Sequence, residues 1–173
     1  VQKGSLDLAA HFALAADGNF TMSQGVASVA DLRLALPGNR NPLWQIPALA
    51  VGGIEVDLGA RKVTLGDMQG RDVRLRAVRE RDGTLELARI VKETGKTASV
   101  PGEPGWSVLV KRIAFERSAI DIEDRVPEPA VRLALRGVSA TITDWSNLPG
   151  AKAGLALRTQ VGDGGRLAFN GPF

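Results

Sequence analysis

Aliphatic residues recur at every second position along this chain, and no other feature restricts its fold as much. Leu6, Leu8, Phe12 and Leu14 alternate with Ser5, Asp7, His11 and small residues, and Leu32, Leu34 and Leu36 alternate with Asp31, Arg33 and Ala35. The pattern returns at Ile54-Val56-Leu58 against Glu55 and Asp57, at Val73-Leu75 against Arg74 and Arg76, and at Ile120-Ile122 against Asp121 and Glu123. Val131-Leu133-Leu135 alternate with Arg132 and Arg136, and Leu167-Phe169 with Arg166 and Asn170. Side chains of a strand point to its two faces in turn, so these runs specify strands with one dry and one wet side. Twenty glycines and nine prolines leave little room for long helices. The expected fold is all-β: a mostly antiparallel, strongly twisted or folded-over sheet with an aliphatic groove or core. At most one or two short helices are expected, near Leu85–Lys92 or Trp145–Gly150.

Turn chemistry separates the runs. Asp17-Gly18, Asp82-Gly83 and Asp163-Gly164 supply residues that tolerate positive φ, as tight hairpins require. The best defined hairpin joins the basic run Arg71–Arg81 to Thr84-Leu85-Glu86-Leu87. Pro37-Gly38-Asn39 and Asn41-Pro42 mark a further loop. The stretch Thr94–Gly105 has no apolar pattern and reads as a mobile loop or linker. It divides one β-rich fragment, residues 1–173, into a first repeat-like region at residues 1–93, the linker at 94–105, and a second repeat-like region at residues 106–173. LAVGGIEVD at Leu49–Asp57 aligns with FERSAIDIE at Phe115–Glu123, so Ile54 matches Ile120 as a degenerate internal repeat. Because strand-like alternation begins at Ser5, the native start is expected upstream.

Each strand offers an aliphatic face, and no amphipathic helix exists to lie on it. Exposed apolar surface costs about 25 cal/mol per Å², so it must be covered. The solutions are two facing sheets, a closed barrel, or a curved sheet whose dry face holds a ligand or another stretch of the chain. Register fixes which residues share that face, since a slip of one position would send every aliphatic group to water. The predicted dry face comprises Leu32, Leu34, Ile54, Val56, Val73, Leu75, Ile113, Phe115, Ile120, Ile122, Leu133 and Leu135.

Other chemistries find little purchase. Aromatic residues make up 5% of the chain, with no Tyr, so the apolar surface has few rings to stack on bases or sugars. The net charge of +3 is interspersed rather than gathered on one face, which argues against nucleic acid. With no cysteine, thiolate ligands and thiol nucleophiles are excluded. His11, the only histidine, lacks a G-x-S-x-G nucleophile context and reads as a surface residue. Asp121, Glu123 and Asp124, with Glu128 close behind, could hold a cation, and Glu55 with Asp57 or Asp121 with Glu123 could serve as glycosidase carboxylates. The nearby Arg117, Arg125, Arg132 and Arg136 make cross-strand charge pairs the simpler use. Arg71, Arg74, Arg76, Arg79 and Arg81 suit edge protection or lipid head-group contact. Gly162-Asp163-Gly164-Gly165 lacks the Lys-Ser/Thr of a phosphate loop and reads as a turn. Asn19-Phe20-Thr21 fits a glycosylation acceptor. No cofactor or metal is expected, and no enzymatic activity.

The segment WQIPALAVGGIEVDLGARKVTLGDMQGRDVRLRAVRERDGTLELARI, Trp44–Ile90, resembles the repeated segment of the AsmA-like envelope proteins, in their branch classed as a domain of unknown function. The marks are Gly-Ile-x-Val-Asp-Leu, a basic turn, Val-Thr-Leu-Gly, and Arg-x-Arg-Asp-Gly-x-Leu-x-Leu. VKRIAFERSAIDIEDRVPEPAVRLALRGVSATI is similar to the family's Ile-x-Phe-x-x-x-x-Ile-x-Ile-x-Asp block, with its Pro-containing loop and Leu-rich strand. Together they cover most of Trp44–Thr143. The resemblance implies a piece of a large Gram-negative periplasmic protein, anchored in the inner membrane, whose strands form a long aliphatic groove. It implies phospholipid or another acyl lipid as partner, moved or shielded between the two membranes in outer-membrane homeostasis. No catalytic residue comes with it. The alternative is a non-catalytic adaptor β-domain with a filled core that binds other envelope proteins.

Overall fold

A computed structural model describes residues 3–35, 42–86, 105–162 and 164–173. Its strands are β1 (Lys3–Leu14), β2 (Phe20–Leu34), β3 (Trp44–Asp57), β4 (Lys62–Arg71), β5 (Arg74–Arg79), β6 (Ser107–Asp124), β7 (Val131–Ser146), β8 (Gly154–Val161) and β9 (Gly165–Pro172). All belong to one sheet in the order β1-β2-β3-β4-β6-β7-β8-β9, with β5 between β3 and β6. β4 and β5 are two halves of one interrupted strand. Both run antiparallel to β3 and parallel to β6, broken only at Asp72 and Val73. The sheet curls into a barrel-like arrangement, and β3, β4, β6 and β5 form a ring of pairings around the interruption at Asp72 and Val73. Among the described residues, β1 and β9 are each paired on one side.

The fold is all-β as expected, and every pairing except those of β4 and β5 with β6 is antiparallel. Only Glu86 has helical backbone among the described residues. The helix considered at Trp145–Gly150 is instead the end of β7 and a turn. The Asn147 side chain fixes that turn, accepting from Val108 N at 2.8 Å and donating to Trp106 O at 2.8 Å. Residues 87–92 of the other helix considered, 94–104 of the expected linker, 37–41 of the expected loop and Asp163 of the third Asp-Gly turn lie outside the described residues. The two segments matched as a repeat lie in β3 and β6, which run in opposite directions on either side of the interrupted strand.

The hairpins follow their turn residues. Gly18 and Gly83 adopt φ of 85° and 83°. Asp17 and Asp82 accept from the backbone N–H two residues on, at 2.9 Å each. Asn19 is committed to the fold. It accepts from Gly59 N at 2.8 Å and donates to Asp57 at 3.2 Å, tying the β1–β2 turn to the β3–β4 turn.

Two transverse creases cross the sheet. From the row Ala30, Ala48, Arg71 and Glu116 to the row Arg33, Gln45, Arg74 and Ala119, each strand advances three positions rather than two. β7 does the same between Ser139 and Arg136, while β1 and β8 advance two. The surplus residues of this lower crease are Asp31, Pro47, Asp72, Arg117 and Gly137, all exposed. Four of them take left-handed backbone, with φ of 52°, 55°, 49° and 57° for Asp31, Asp72, Arg117 and Gly137. An upper crease repeats the construction at Gln24, Gly53, Gly66, Lys111 and Asp144, where Gln24, Gly53 and Asp144 have φ of 52°, 65° and 56°. Each surplus residue is a bulge that bends and twists its strand. Since side chains alternate, one surplus residue also inverts the parity of everything beyond it.

Candidate functional site

With the parity changes included, one face of the sheet is apolar from rim to rim. Leu8, Ala27, Val51, Met68, Ile113, Ile142 and Leu155 are successive partners across the sheet. So are Leu6, Val29, Leu49, Gly70, Phe115, Ala140, Leu157 and Phe169. Below the lower crease the row is Leu34, Trp44, Leu75, Ile120, Leu135 and Val161. Above the upper crease Phe12, Met22, Val56, Val63 and Val108 form another. At the hairpin end the rings of Phe12 and Phe20 stack with centroids 5.7 Å apart.

All twelve residues of the predicted dry face lie on this side. Leu34, Leu75, Ile120 and Leu135 share one row, Ile122 pairs Leu133, and Leu32 pairs Ile46. Ile113 and Phe115 stand in the middle band, Ile54 and Val56 above it. Val73 sits at the lower crease, its Cγ2 beside the Phe115 ring over Gly70. The alternation did not reveal Val51, Met68, Leu49, Ile142 or Leu155. For those on β3, β4 and β7 the signal is short apolar alternation in the opposite phase, hidden on either side by crease residues; Leu155 alternates with Leu157 on β8, which has no surplus residue at the lower crease.

The creases also account for the polar atoms on this face. A bulge disrupts the ladder locally, and side-chain hydroxyls supply donors there. Ser118, buried beside the Arg117 bulge, donates to Glu116 O at 3.2 Å, a carbonyl that also accepts from Asp72 N at 3.0 Å. Thr159, also buried, donates to Arg136 O at 3.1 Å, next to Gly137. Both hydroxyls are therefore structural.

Burial on the apolar face is partial. Ile46, Ile54, Val110 and Val138 are buried along the creases. Ile113, Phe115, Ile120 and Leu135, on central strands, retain intermediate exposure. Toward the rims the exposure rises to 69% at Leu6 and 46% at Phe169. Side chains filling a close-packed interior would be sealed in the centre. Here the centre is sheltered by its neighbours and not sealed.

The opposite, outer face is mostly small, polar and ionic, with Val78, Ala114 and Thr64 buried on it. Asp7, Ser28, Ala50, Gln69, Ala114, Thr141, Ala156 and Asn170 form one of its rows. Its carboxylates are engaged by arginines. Arg117 and Asp72 meet through two bonds of 2.8 and 3.1 Å, Arg112 reaches Asp67 at 2.9 Å, and Arg136 pairs Asp121. Glu123 contacts Arg76, Arg125 and Arg132 at 3.3 to 3.6 Å. Hydrogen bonds and attraction from these partners hold Asp72 and Glu123 below the ordinary carboxylate range. For Asp57 the cause is chiefly the backbone N–H of Ala60. Of the carboxylates weighed for metal or glycosidase chemistry, Asp121, Glu123 and Asp124 are bound into ion pairs, and Asp57 accepts from Ala60 N and Asn19. The basic cluster does not guard an edge. β4 and β5 lie inside the sheet, and Arg71, Arg76 and Arg79 pair with Glu116, Glu123 and Asp124 on β6. His11 is exposed in β1, opposite Ser23.

No family model, no curated protein and no solved structure matches this chain. The functional reading rests on the geometry and on the resemblance drawn from its sequence.

Proposed function

We propose that this chain is a segment of a hydrophobic β-groove that carries or shields phospholipid acyl chains between the inner and outer membranes. The parent would be a periplasmic AsmA-like protein anchored in the inner membrane, and the role is non-catalytic. One observation carries the reading: an apolar face continuous over the whole width of the sheet, half open at its centre. An acyl chain needs such a surface and no fixed donor, because its contacts are dispersion and exclusion of water. The surface is broad, aliphatic and free of charge, so it would discriminate little between chains of similar length. Selectivity would come from head groups outside it.

The test is occupancy. Native mass spectrometry and solvent extraction of freshly purified protein should recover acyl lipid, and a fluorescent fatty acid should bind. Replacing Val56, Ile120 or Ile122, which stay partly exposed, with Asp should abolish that binding more than it lowers the unfolding midpoint. In an adaptor domain with a filled core, the same changes would unfold the protein and the parent would bind no lipid. That second outcome refutes the groove.

A further inference from the structure

On the outer face, just below the lower crease, the topology gathers arginines from four separate segments into one line. Arg33, Gln45, Arg74 and Ala119 are successive partners on β2, β3, β5 and β6, and Arg136, Gln160 and Arg166 continue on β7, β8 and β9. The link between Ala119 and Arg136 follows from the adjoining pair Ile120 and Leu135. Arginine therefore occupies every second strand, with Gln or Ala between. At about 4.8 Å per strand, neighbouring cations stand about 10 Å apart, and the row follows the curl of the sheet over about 29 Å of its contour. All four are exposed. Arg136 is held by Asp121, whereas Arg33, Arg74 and Arg166 have no ion-pair partner among the described residues.

We propose that this row is an interaction surface for a membrane leaflet rich in anionic phospholipid. The inference goes beyond the acyl-chain reading, since it concerns the other face and needs no lipid in the groove. A guanidinium offers a planar fork of donors suited to phosphate oxygens, and a spacing near the Debye length lets each cation engage its own head group. A nucleic acid fits less well, because the row holds no aromatic side chain on which bases could stack.

Co-sedimentation with phosphatidylcholine vesicles, with and without 30 mol% phosphatidylglycerol, tests it on the intact chain at about 0.1 M salt. The protein should bind only the anionic vesicles. Changing Arg33, Arg74 and Arg166 together to Gln should weaken binding by about fivefold per arginine removed. The control, Lys62, Lys111 and Lys152 to Gln, removes the same charge elsewhere and should stay within twofold. Thermal unfolding of both triple variants checks that each is folded. Equal loss in the control, binding to neutral vesicles, or tighter binding to single-stranded DNA than to vesicles at the same salt overturns the proposal. Lipid occupancy by native mass spectrometry reports separately on the groove, so either reading can fail alone.

Discussion

The two faces of this sheet are built from alternate residues of the same strands, yet they are stabilised by different physics. The sheltered face has no charged row and depends on exclusion of water. The outer face depends on short side chains, arginine–carboxylate pairs and solvent. Neighbours in sequence thus have unlike tolerances, and single substitutions on adjacent residues can separate the two.

Val138 and Ser139 make the sharpest pair. Val138 is 3% exposed on the apolar side, and Ser139 is exposed on the other. Val138→Asp should lower stability by several kcal/mol, because it forces a carboxylate among buried apolar groups. Ser139→Asp should stay within about 0.5 kcal/mol. Urea denaturation of both checks this, and similar losses would mean that the faces are not distinct. Next in size is Gly70. A Cβ there would lie 2.7 Å from the Phe115 ring, so Gly70→Ala should cost about 1 to 3 kcal/mol. Phe115→Leu in the same chain should recover some of the loss, which a double-mutant cycle measures.

Smaller effects test the polar side. Thr159→Val should cost about 1 to 2 kcal/mol, since it removes the donor to Arg136 O at the lower crease, and Ser118→Ala should cost less, since Glu116 O keeps Asp72 N. The pH response follows from the lowered carboxylates. Asp57, Asp67, Asp72 and Glu123 have folded pKa values below the ordinary values of 3.8 for Asp and 4.5 for Glu. Their contribution is full above those values and is lost as pH falls through the depressed folded ones. Stability should therefore hold level from neutral pH down to about pH 5 and decline below about pH 4. A midpoint that keeps rising as pH falls below about 4 would contradict this. Smallest of all, Arg132→Ala should change stability by less than about 0.5 kcal/mol, because the Arg132 side chain is mostly in water and Glu123 keeps Arg76 and Arg125.

Much of this was legible in the sequence because alternation is a direct image of strand geometry. The twelve residues assigned to the dry face share one side, and Asp-Gly marks both described hairpins that it was expected to make. The middle band was not legible. Val29 and Leu32 point the same way although three positions apart, and only the surplus Asp31 makes that possible. Nothing in a local window distinguishes Asp31, Asp72 or Arg117 from any other outward polar residue. The parallel join of β4 and β5 to β6 was equally hidden, since it depends on where a distant segment returns. For that reason the arginines of β5 read as guards of an edge when they lie inside the sheet. The row of Arg33, Arg74, Arg136 and Arg166 has no image in the sequence at all.

The creases have a consequence for shape as a whole. Between the same two rows, β1 takes eight steps from Lys3 to His11 while its partner β2 takes ten from Arg33 to Ser23. On β3, Gln45 lies level with Arg33, and Glu55, next to Ile54, belongs with Ser23, so it too takes ten. The inner strands thus carry more contour length than the strand beside them. A surface that is longer in its middle than along its border cannot be rolled from a flat strip; like cloth gathered by darts, it acquires curvature in two directions at once. That curvature is fixed by a count of residues, so deleting one surplus residue from one strand would pucker the surface locally, and only matched deletions across every strand from β2 to β7 would flatten it.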